Sequence, residues 1–329
     1  MALATLAGAA HAQLGTPTVL EIDVNNLVFY AQDSIDQSRL ATDPNRTALA
    51  ANPATAGNPS CRNVISIGDI VAVNGTPAKG VYVSRAFFVN LAAAPVRGQA
   101  ISDTTRAAAF DFTVEIQQAD GRPLGSIMGS GLSGGASAPG SPSAFTGWNA
   151  AVTGGTGYFL GARGTTGVGP TPVAVRNASA TEDPANRRAH GGGTRRYVIS
   201  LIPAYRPNIV SDRDRPAIFH ADFSPVTAER PARPGEVLLV TASGLGPTDP
   251  GVEPGAAFPL DRNLPVLAPV EASVNGARAD VVNALGWPGR TDNYRVDVQL
   301  PASLTTGMAT LHLTAAWVKG GEIQVPVRE

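Results

Sequence analysis

Alternation of apolar and polar residues along the chain predicts short β-strands. The clearest case is residues 109–117, where Phe110, Phe112, Val114 and Ile116 alternate with Asp111, Thr113, Glu115 and Gln117. A period of two is that of a strand with one buried face, whereas a helix repeats its apolar positions every three or four residues. The pattern therefore favours an all-β protein.

The first predicted strand, residues 18–30, is apolar on one face along its whole length. That face carries Leu20, Ile22, Val24, Val28 and Tyr30. Leu27 and Phe29 lie on the other face, which is otherwise polar. We therefore predict a strand whose second face becomes buried toward its end.

Turn signals separate the other strands of the first half. Asn74-Gly75 and Asp120-Gly121 are hairpin dipeptides, because their residues readily adopt positive φ. The predicted strands are residues 64–73, 81–91, 109–117, 124–128, 146–153, 158–165 and 195–204, and the predicted loops are residues 36–63, 129–143 and 166–194. Roughly eight strands without a convincing helix predict an up-and-down or Greek-key barrel.

A second group of strands follows a segment rich in charge and turn formers. These strands are predicted at residues 236–242, 269–274, 279–284, 294–300, 308–316 and 322–327. Turn signals every eight to twelve residues are typical of an immunoglobulin-like β-sandwich. The predicted organisation is a barrel at 14–208, a linker at 209–215 and a sandwich at 216–329.

The composition agrees with strands joined by many turns. Glycine (36) and proline (27) are abundant among the 329 residues, and only 16% of residues are charged, against about a quarter in typical proteins. A net charge of −1 leaves no basic excess to neutralise phosphates, so nucleic acid is not an expected partner. No stretch reaches the ~18 apolar residues of a membrane span.

The N-terminus predicts export. Residues 1–13 read as a shortened signal peptide, because Ala10-His11-Ala12 before Gln13 fits a small-x-small cleavage site. The alternative is an alanine-rich N-terminus without that role. We therefore expect a secreted or cell-surface protein.

The single cysteine, Cys61, allows no intrachain disulfide. Its neighbours predict a polar loop. It is either an unpaired thiol or the site of a bridge between chains.

Few residues suggest catalytic or metal chemistry. The histidines are His11, His190, His220 and His312, and no cluster has the ligand spacing of a metal site, so no metal or cofactor is predicted. Asp111 and Glu115 share one strand face, which is either solvated or the polar lining of a barrel.

Two motifs in the first half resemble those of dirigent proteins. Residues 27–33, Leu-Val-Phe-Tyr-Ala-Gln-Asp, are similar to the family's first strand, which runs apolar-apolar-aromatic-Tyr-x-His-Asp. Residues 152–164, Val-Thr-Gly-Gly-Thr-Gly-Tyr-Phe-Leu-Gly-Ala-Arg-Gly, are similar to the family's Val-x-Gly-Gly-Thr-Gly-x-Phe-x-x-Ala-Arg-Gly hairpin. Allene oxide cyclases share the barrel and a similar hairpin. The resemblance covers residues 18–203.

This resemblance implies a calycin-like eight-stranded barrel, open at one end and often trimeric, whose cavity steers the coupling, cyclisation or isomerisation of an apolar molecule. Asp33 matches the family's cavity acid and Arg163 the hairpin arginine, and Tyr30 and Gln32 are further candidates for the cavity. A carboxylate and a guanidinium in an apolar cup can polarise and orient an intermediate. Gln32 replaces the family's histidine and cannot act as an acid or base. The sequence therefore leaves enzymatic activity open, with a barrel filled by its own side chains as the alternative.

The second half resembles the Solibacter-type C-terminal domain of secreted bacterial proteins, which is akin to TIG-like immunoglobulin folds. The residues that carry the resemblance are Pro231 to Val237, Gly244 to Thr248, Pro269 to Gly276 and Tyr294 to Pro301 followed by Gly307. The match spans residues 216–329 and implies an extracellular setting without known catalysis.

Three functions remain open on this basis. The first is a secreted protein whose barrel binds a small apolar or aromatic ligand, with or without cyclase or isomerase activity. The second is a structural subunit of an extracellular layer or fibre, in which copies of the chain pack together as a homo-oligomer. The third is a glycan-binding protein, for which the sandwich offers few aromatic residues.

Overall fold

The computed structural model describes residues 17–33, 60–90, 108–133, 148–169, 172–212 and 215–329. Within these ranges the chain is almost entirely β-structure, with two short 3₁₀ helices at Gly157–Phe159 and Pro184–Arg187. The strands are β1 (Thr18–Asp33), β2 (Ser60–Val73), β3 (Thr76–Asn90), β4 (Ala108–Gln118), β5 (Pro123–Ser133), β6 (Trp148–Gly155), β7 (Arg163–Val168), β8 (Arg176–Ser179), β9 (Gly193–Ile202), β10 (Asn208–Ile209), β11 (Ser211–Asp212), β12 (Arg215–Pro216), β13 (Ile218–Phe219), β14 (Val237–Ser243), β15 (Val270–Val274), β16 (Ala277–Gly286), β17 (Tyr294–Gln299), β18 (Gly307–Ala315) and β19 (Val318–Val327).

Eight antiparallel strands close into a barrel. The order around it is β1-β2-β3-β4-β5-β6-β7-β9, and β9 pairs back with β1. The short strand β8 lies outside this ring and pairs in parallel with the last part of β1. The predicted all-β fold with an eight-stranded antiparallel barrel is thus confirmed.

A β-bulge in β1 reverses which side chains face the interior, and this corrects the predicted strand face. The register with β2 shifts between Asn25 and Val28, and Asn26 has a φ of 51°. Asparagine tolerates this left-handed conformation better than most residues. The interior face therefore carries Leu20, Ile22 and Val24 before the bulge, and Leu27 and Phe29 after it. Val28 and Tyr30 lie on the outer face, where a separate small cluster covers them.

The two ends of the barrel differ in their connections. Tight turns join β2 to β3 and β4 to β5 at one end, which we call the hairpin end. At the other end β1, β3 and β5 finish and long connections leave for the next strand. We call this the long-loop end.

Several predicted elements differ from those observed. The predicted strand 158–165 is a 3₁₀ turn followed by β7, and the predicted loop 166–194 contains β8 and the second 3₁₀ helix. The predicted low-complexity loop 129–143 begins with residues of β5. Gly129 fits a strand there because the Phe112 ring fills the space its side chain would need.

The second half forms one nearly closed sheet folded into two layers. The order is β10-β14-β17-β16-β15-β18-β19, with β13 beside β14. Strand β16 belongs to both layers, because Ala277–Ala279 pair with β15 and Asp280–Gly286 pair with β17. The first strand, β10, pairs with β14 through Asn208 and Ile209, so residues predicted as barrel end and linker belong to this sheet.

The barrel and the second sheet share one continuous apolar core. Tyr158, in the Gly-Gly-Thr-Gly hairpin, is fully buried, and its ring centroid lies 6.0 Å from that of Tyr205. The ring also packs on Gly246, where any side chain would clash with it. The Tyr294 hydroxyl donates a hydrogen bond to the Gly246 carbonyl over 2.5 Å and fixes this contact. The hairpin motif thus serves as a packing contact between the two halves.

Two substitutions of Tyr158 should distinguish the contribution of its buried ring to stability from that of its hydroxyl. Tyr158→Ala removes the ring and should lower the free energy of unfolding by about 3–5 kcal/mol, measured by urea denaturation. Tyr158→Phe should preserve or raise stability, because the hydroxyl is buried without a hydrogen-bond partner among the described residues. Similar losses in both variants would contradict a packing role.

Candidate functional site

Polar side chains inside the barrel concentrate away from the hairpin end. The interior near the hairpin end is apolar and carries Leu20, Ile22, Ile116, Leu124, Ile127, Val152, Phe159, Ile199 and Leu201. Toward the long-loop end the interior positions include Ser66, Tyr82, Ser84, Thr166, Arg195 and Tyr197, which we call the polar layer. Small side chains also occur in this half, at Ala86 and Ala150. Small and polar residues thus replace the large apolar ones where the barrel has its long connections.

Two stacked tyrosines form the floor of the polar layer. The rings of Tyr82 and Tyr197 lie with centroids 4.1 Å apart and planes 19° from parallel. The partner of Tyr82 in β2 is Gly68, and Val24 and Leu27 fill the space where a side chain at Gly68 would lie. Both rings are fully buried, so the barrel is filled at this level.

Burial keeps both phenols protonated. Desolvation raises the pKa of Tyr82 well above its ordinary value, with Tyr197 adding to the rise and Ser84 opposing it. Desolvation also raises the pKa of Tyr197, against the opposing effects of Arg195 and Tyr82. The Tyr82 hydroxyl has no partner in hydrogen-bonding geometry among the described residues. A buried neutral phenol of this kind can donate a hydrogen bond to a ligand.

Arg195 points into the barrel although it lies in a charged sequence. Its neighbours on the same face of β9 are Tyr197 and Ile199, both interior. Its guanidinium carbon lies 5.2 Å from the centroid of the Phe29 ring, which the bulge in β1 turns inward. The buried Nε of Arg195 finds no acceptor within the described part of the chain. Arg195 therefore places a cation above the two tyrosines.

The next residue, Arg196, faces the outside of the barrel. It donates hydrogen bonds to Asp23 over 2.7 and 3.0 Å and to Glu21 over 3.0 Å. A pocket of about 430 Å³ lies beside it, and both Arg195 and Arg196 line this pocket together with Val71 and Pro172. Asp23 is thus on the solvated side of β1.

Arg163 lies on the outside of the barrel and not in its cavity. It is exposed, and its Nη1 donates to the carbonyls of Thr153 (2.6 Å) and Ala162 (2.9 Å). The interior position beside it is Gly164, opposite Val152. The resemblance predicted a cavity arginine here, whereas the structure shows one that braces the hairpin from outside.

Tyr30 also lies outside the barrel interior. It is opposite Ile65 on the outer face of β2 and is covered by Ala178 of β8. The prediction that it lines the cavity is corrected by the bulge. The backbones of Gln32 and Asp33 pair with Asn63 and Arg62, and their side chains lie outside the described residues.

The outer segment 176–190 is fastened to the barrel through Asp69 and braced internally by an arginine–glutamate pair. Asp69 accepts hydrogen bonds from Asn26 (2.9 Å), Arg187 and Arg188 (2.8 and 3.0 Å). Arg176 binds Glu182 through two hydrogen bonds of 2.6 and 2.9 Å. Asp69 thereby links the bulge of β1 to the second 3₁₀ helix.

Other sequence candidates lie on solvated faces. Asp111 and Glu115 are exposed on the outer face of β4, and Asp111 pairs with Arg85 over 2.8 Å. Of the two readings left open, the solvated face is therefore the observed one. Cys61 lies in β2 rather than in a loop, paired with Val89, and its side chain is outside the described residues.

The second sheet holds two histidine sites. His220 is buried, with Nδ1 2.6 Å from Glu236, at the edge of a pocket of about 710 Å³ lined by Arg230, Arg233 and Arg328. His312 lies 3.0 Å (Nδ1) and 3.3 Å (Nε2) from the Ser273 hydroxyl. Two similar distances from one oxygen do not give the directed bond of a Ser–His catalytic pair.

In the parts of the chain that the structure describes, no group of three or more His, Cys, Asp or Glu side chains is arranged to hold a metal ion. No helix in those parts is long and apolar enough to span a membrane. Residues 1–13, where a signal peptide is predicted, lie outside the described ranges.

No family model matches this chain, and no curated protein matches it either. The resemblances to dirigent proteins, allene oxide cyclases and the Solibacter-type domain therefore stay predictions.

Sequence reasoning missed Arg195 and the tyrosine pair, although a signal was present for the arginine. Arg195 shares its strand parity with Tyr197, Ile199 and Leu201, which places a charge on an apolar face. Such a residue is either at the end of the buried face or functional.

The Asp69 contact predicts acid sensitivity. Burial alone would raise the pKa of Asp69, but hydrogen bonds from Asn26, Arg187 and Arg188 hold it below its usual value. Because the folded pKa lies below the unfolded one, the stabilisation is complete above the unfolded pKa of about 3.9 and is lost as pH falls through the folded pKa.

Asp69→Asn should therefore lower the melting temperature at pH 7 and flatten its decline between about pH 5 and pH 2. Thermal melts followed by circular dichroism across this range measure the effect. Asp111→Asn, at an exposed pair, is the control and should melt like the wild type. A full acid-dependent decline in Asp69→Asn would contradict this assignment.

Proposed function

We propose that the barrel binds a small apolar or aromatic molecule in its interior, between the tyrosine pair and the long-loop end. The observation that carries this proposal is the polar layer, in which the Tyr82 hydroxyl and the Arg195 Nε lack partners among the described residues. Buried polar groups are costly unless hydrogen-bonded. A bound molecule at this level would supply the missing acceptors.

The size of the barrel is compatible with this role. An eight-stranded barrel has an interior that side chains fill or that holds one small ligand. The hairpin half is filled by large apolar side chains, whereas Ser66, Ser84, Ala86 and Ala150 are small. Phe29 and Phe110 supply aromatic surface in the same half. An aromatic or apolar body with one hydrogen-bond acceptor fits this mixture.

The chemistry supported by these groups is binding and polarisation. Protonated phenols and a guanidinium can stabilise negative charge that develops on an oxygen. The family acid and arginine do not come together in the described residues, because Arg163 lies outside the barrel. We therefore propose ligand binding, with a cyclisation or isomerisation as an extension that would use these donors. A secreted setting, resting on the residues 1–13, is part of the proposal.

Fluorescent probe binding tests the location. N-phenyl-1-naphthylamine is an uncharged aromatic probe that brightens on transfer to apolar surroundings. The wild type should bind it saturably, and Ala86→Phe should weaken binding about tenfold or more by filling the interior, since insertion of extra volume into a packed site is resisted. Val83→Phe places the same ring on the outer face of the same strand and should bind like the wild type. No saturable binding, or equal binding by both variants, contradicts the proposal.

Assembly of copies through barrel walls is the second candidate. Ile65, Val83 and Phe87 are exposed on the outer face of β2 and β3, at 45%, 36% and 44%. Side-by-side packing would cover these side chains, whereas a closed barrel offers no free strand edge for fibre growth.

Sedimentation velocity of the wild type and of Phe87→Lys tests this second candidate. A wild-type oligomer that dissociates in Phe87→Lys is the expected result for assembly. A monomeric wild type would contradict it, and Arg85→Lys on the same face serves as the control.

A further inference from the structure

We infer that the molecule held in the barrel is an anion, namely a carboxylate on an aromatic or apolar body, with its negative charge beside Arg195. This inference rests on the proposed function and names the ligand class. It depends on where the charges of the barrel point, and not on the resemblance to any family.

Among the Arg, Lys, Asp and Glu residues of the barrel strands whose side chains the structure describes, Arg195 is the only one on the interior face, and the side chains of Asp33 and Arg62 are outside this set. The other charged groups of the wall face outward, where Arg196 meets Asp23 and Glu21, and Arg85 meets Asp111. No carboxylate of the described residues pairs with Arg195. Arg196 and Arg85 are thus paired with carboxylates, whereas no ion pair joins Arg195 to a carboxylate among the described side chains.

Arg195 is half-buried, and its Nε is buried without an acceptor among the described residues. Taking part of a charged group out of water costs free energy unless a partner replaces the water. The Phe29 ring, 5.2 Å from the guanidinium carbon, offsets a part of this cost through a cation–π contact. A bound anion would offset the larger part, because hydrogen bonds to charged groups are the stronger ones.

The surrounding groups favour a carboxylate over a bare ion. The unpartnered Nε of Arg195 and the hydroxyl of Tyr82 are donors for two oxygen atoms. Beside them, Phe29 and Phe110 are positioned for the apolar body. An inorganic anion would use the donors but would add no apolar contact to these rings.

The experiment compares an acid with its matched alcohol. 1-Naphthoate and 1-naphthalenemethanol have the same ring body and differ in charge. Each is titrated at pH 7 against the wild type carrying N-phenyl-1-naphthylamine, and displacement gives its Kd. The naphthoate should bind about tenfold tighter or more, as expected for one charge-assisted hydrogen bond.

Variants then locate the charge that recognises the acid. In Arg195→Met the preference for naphthoate should fall to about one, and Arg195→Lys should retain a part of it. Arg196→Met, the adjacent arginine on the outer face, should keep the full preference. Near-ultraviolet circular dichroism verifies that each variant is folded. The wild-type acid–alcohol comparison tests the inference even if Arg195→Met fails to fold.

The outcomes separate this inference from the proposed function. Equal displacement by acid and alcohol in the wild type overturns the anion and leaves the barrel as a binding site. Loss of the preference in Arg196→Met, with retention in Arg195→Met, moves the anion to the outer pocket and also overturns it. No binding of the naphthylamine probe to the wild type overturns the proposed function itself.

Discussion

Strand β1 closes the barrel. Its bulge at Asn25–Asn26 determines which of the side chains of β1 line the interior. The strand pairs with β9 on one side and β2 on the other, and no other strand makes both contacts. Without the extra residue, a period of two would turn Val28 and Tyr30 inward and Phe29 outward. With it, Phe29 enters the barrel and meets Arg195. The contact between Phe29 and Arg195 therefore depends on one backbone irregularity.

The same bulge organises the outer wall. Asn26 hydrogen-bonds Asp69, and Asp69 binds Arg187 and Arg188 of the outer segment. That segment includes β8, which covers Tyr30 and completes the small outer cluster. The irregular conformation is thus held by side chains on both sides of the wall. Inside the barrel the bulge positions the Phe29 ring, and outside the barrel it anchors the outer segment.

Much of the fold follows from local sequence pattern, because strands with one buried face repeat every two residues. The alternation over residues 109–117 and the turns at Asn74-Gly75 and Asp120-Gly121 predict β4 and two hairpins that the structure contains. The bulge was harder to predict, since Leu27 and Phe29 read equally well as a second buried face. The bulge depends on the pairing of β1 with β2. Because Gly68 of β2 has no side chain, it leaves the space that Val24 and Leu27 fill. Such a long-range fit is absent from any local window.

The sequence predicted that the candidate site contains polar groups, but it did not predict which residues form the site. A polar group within an apolar barrel was expected. Arg163 and Tyr30 were assigned to it from their positions in the two motifs. Such a position does not determine whether a side chain faces the interior or the exterior of the barrel. The register of β7, with Gly164 opposite Val152, places Arg163 outside. Arg195 carried its own signal, a charge in line with Tyr197 and Ile199.

Native mass spectrometry of the protein isolated from its own source tests the central claim most directly. We expect the protein mass plus that of one small organic acid, released on denaturation and identifiable by its own mass. A bare protein mass, or a ladder of open-ended multimers without bound mass, would contradict a barrel that holds a ligand.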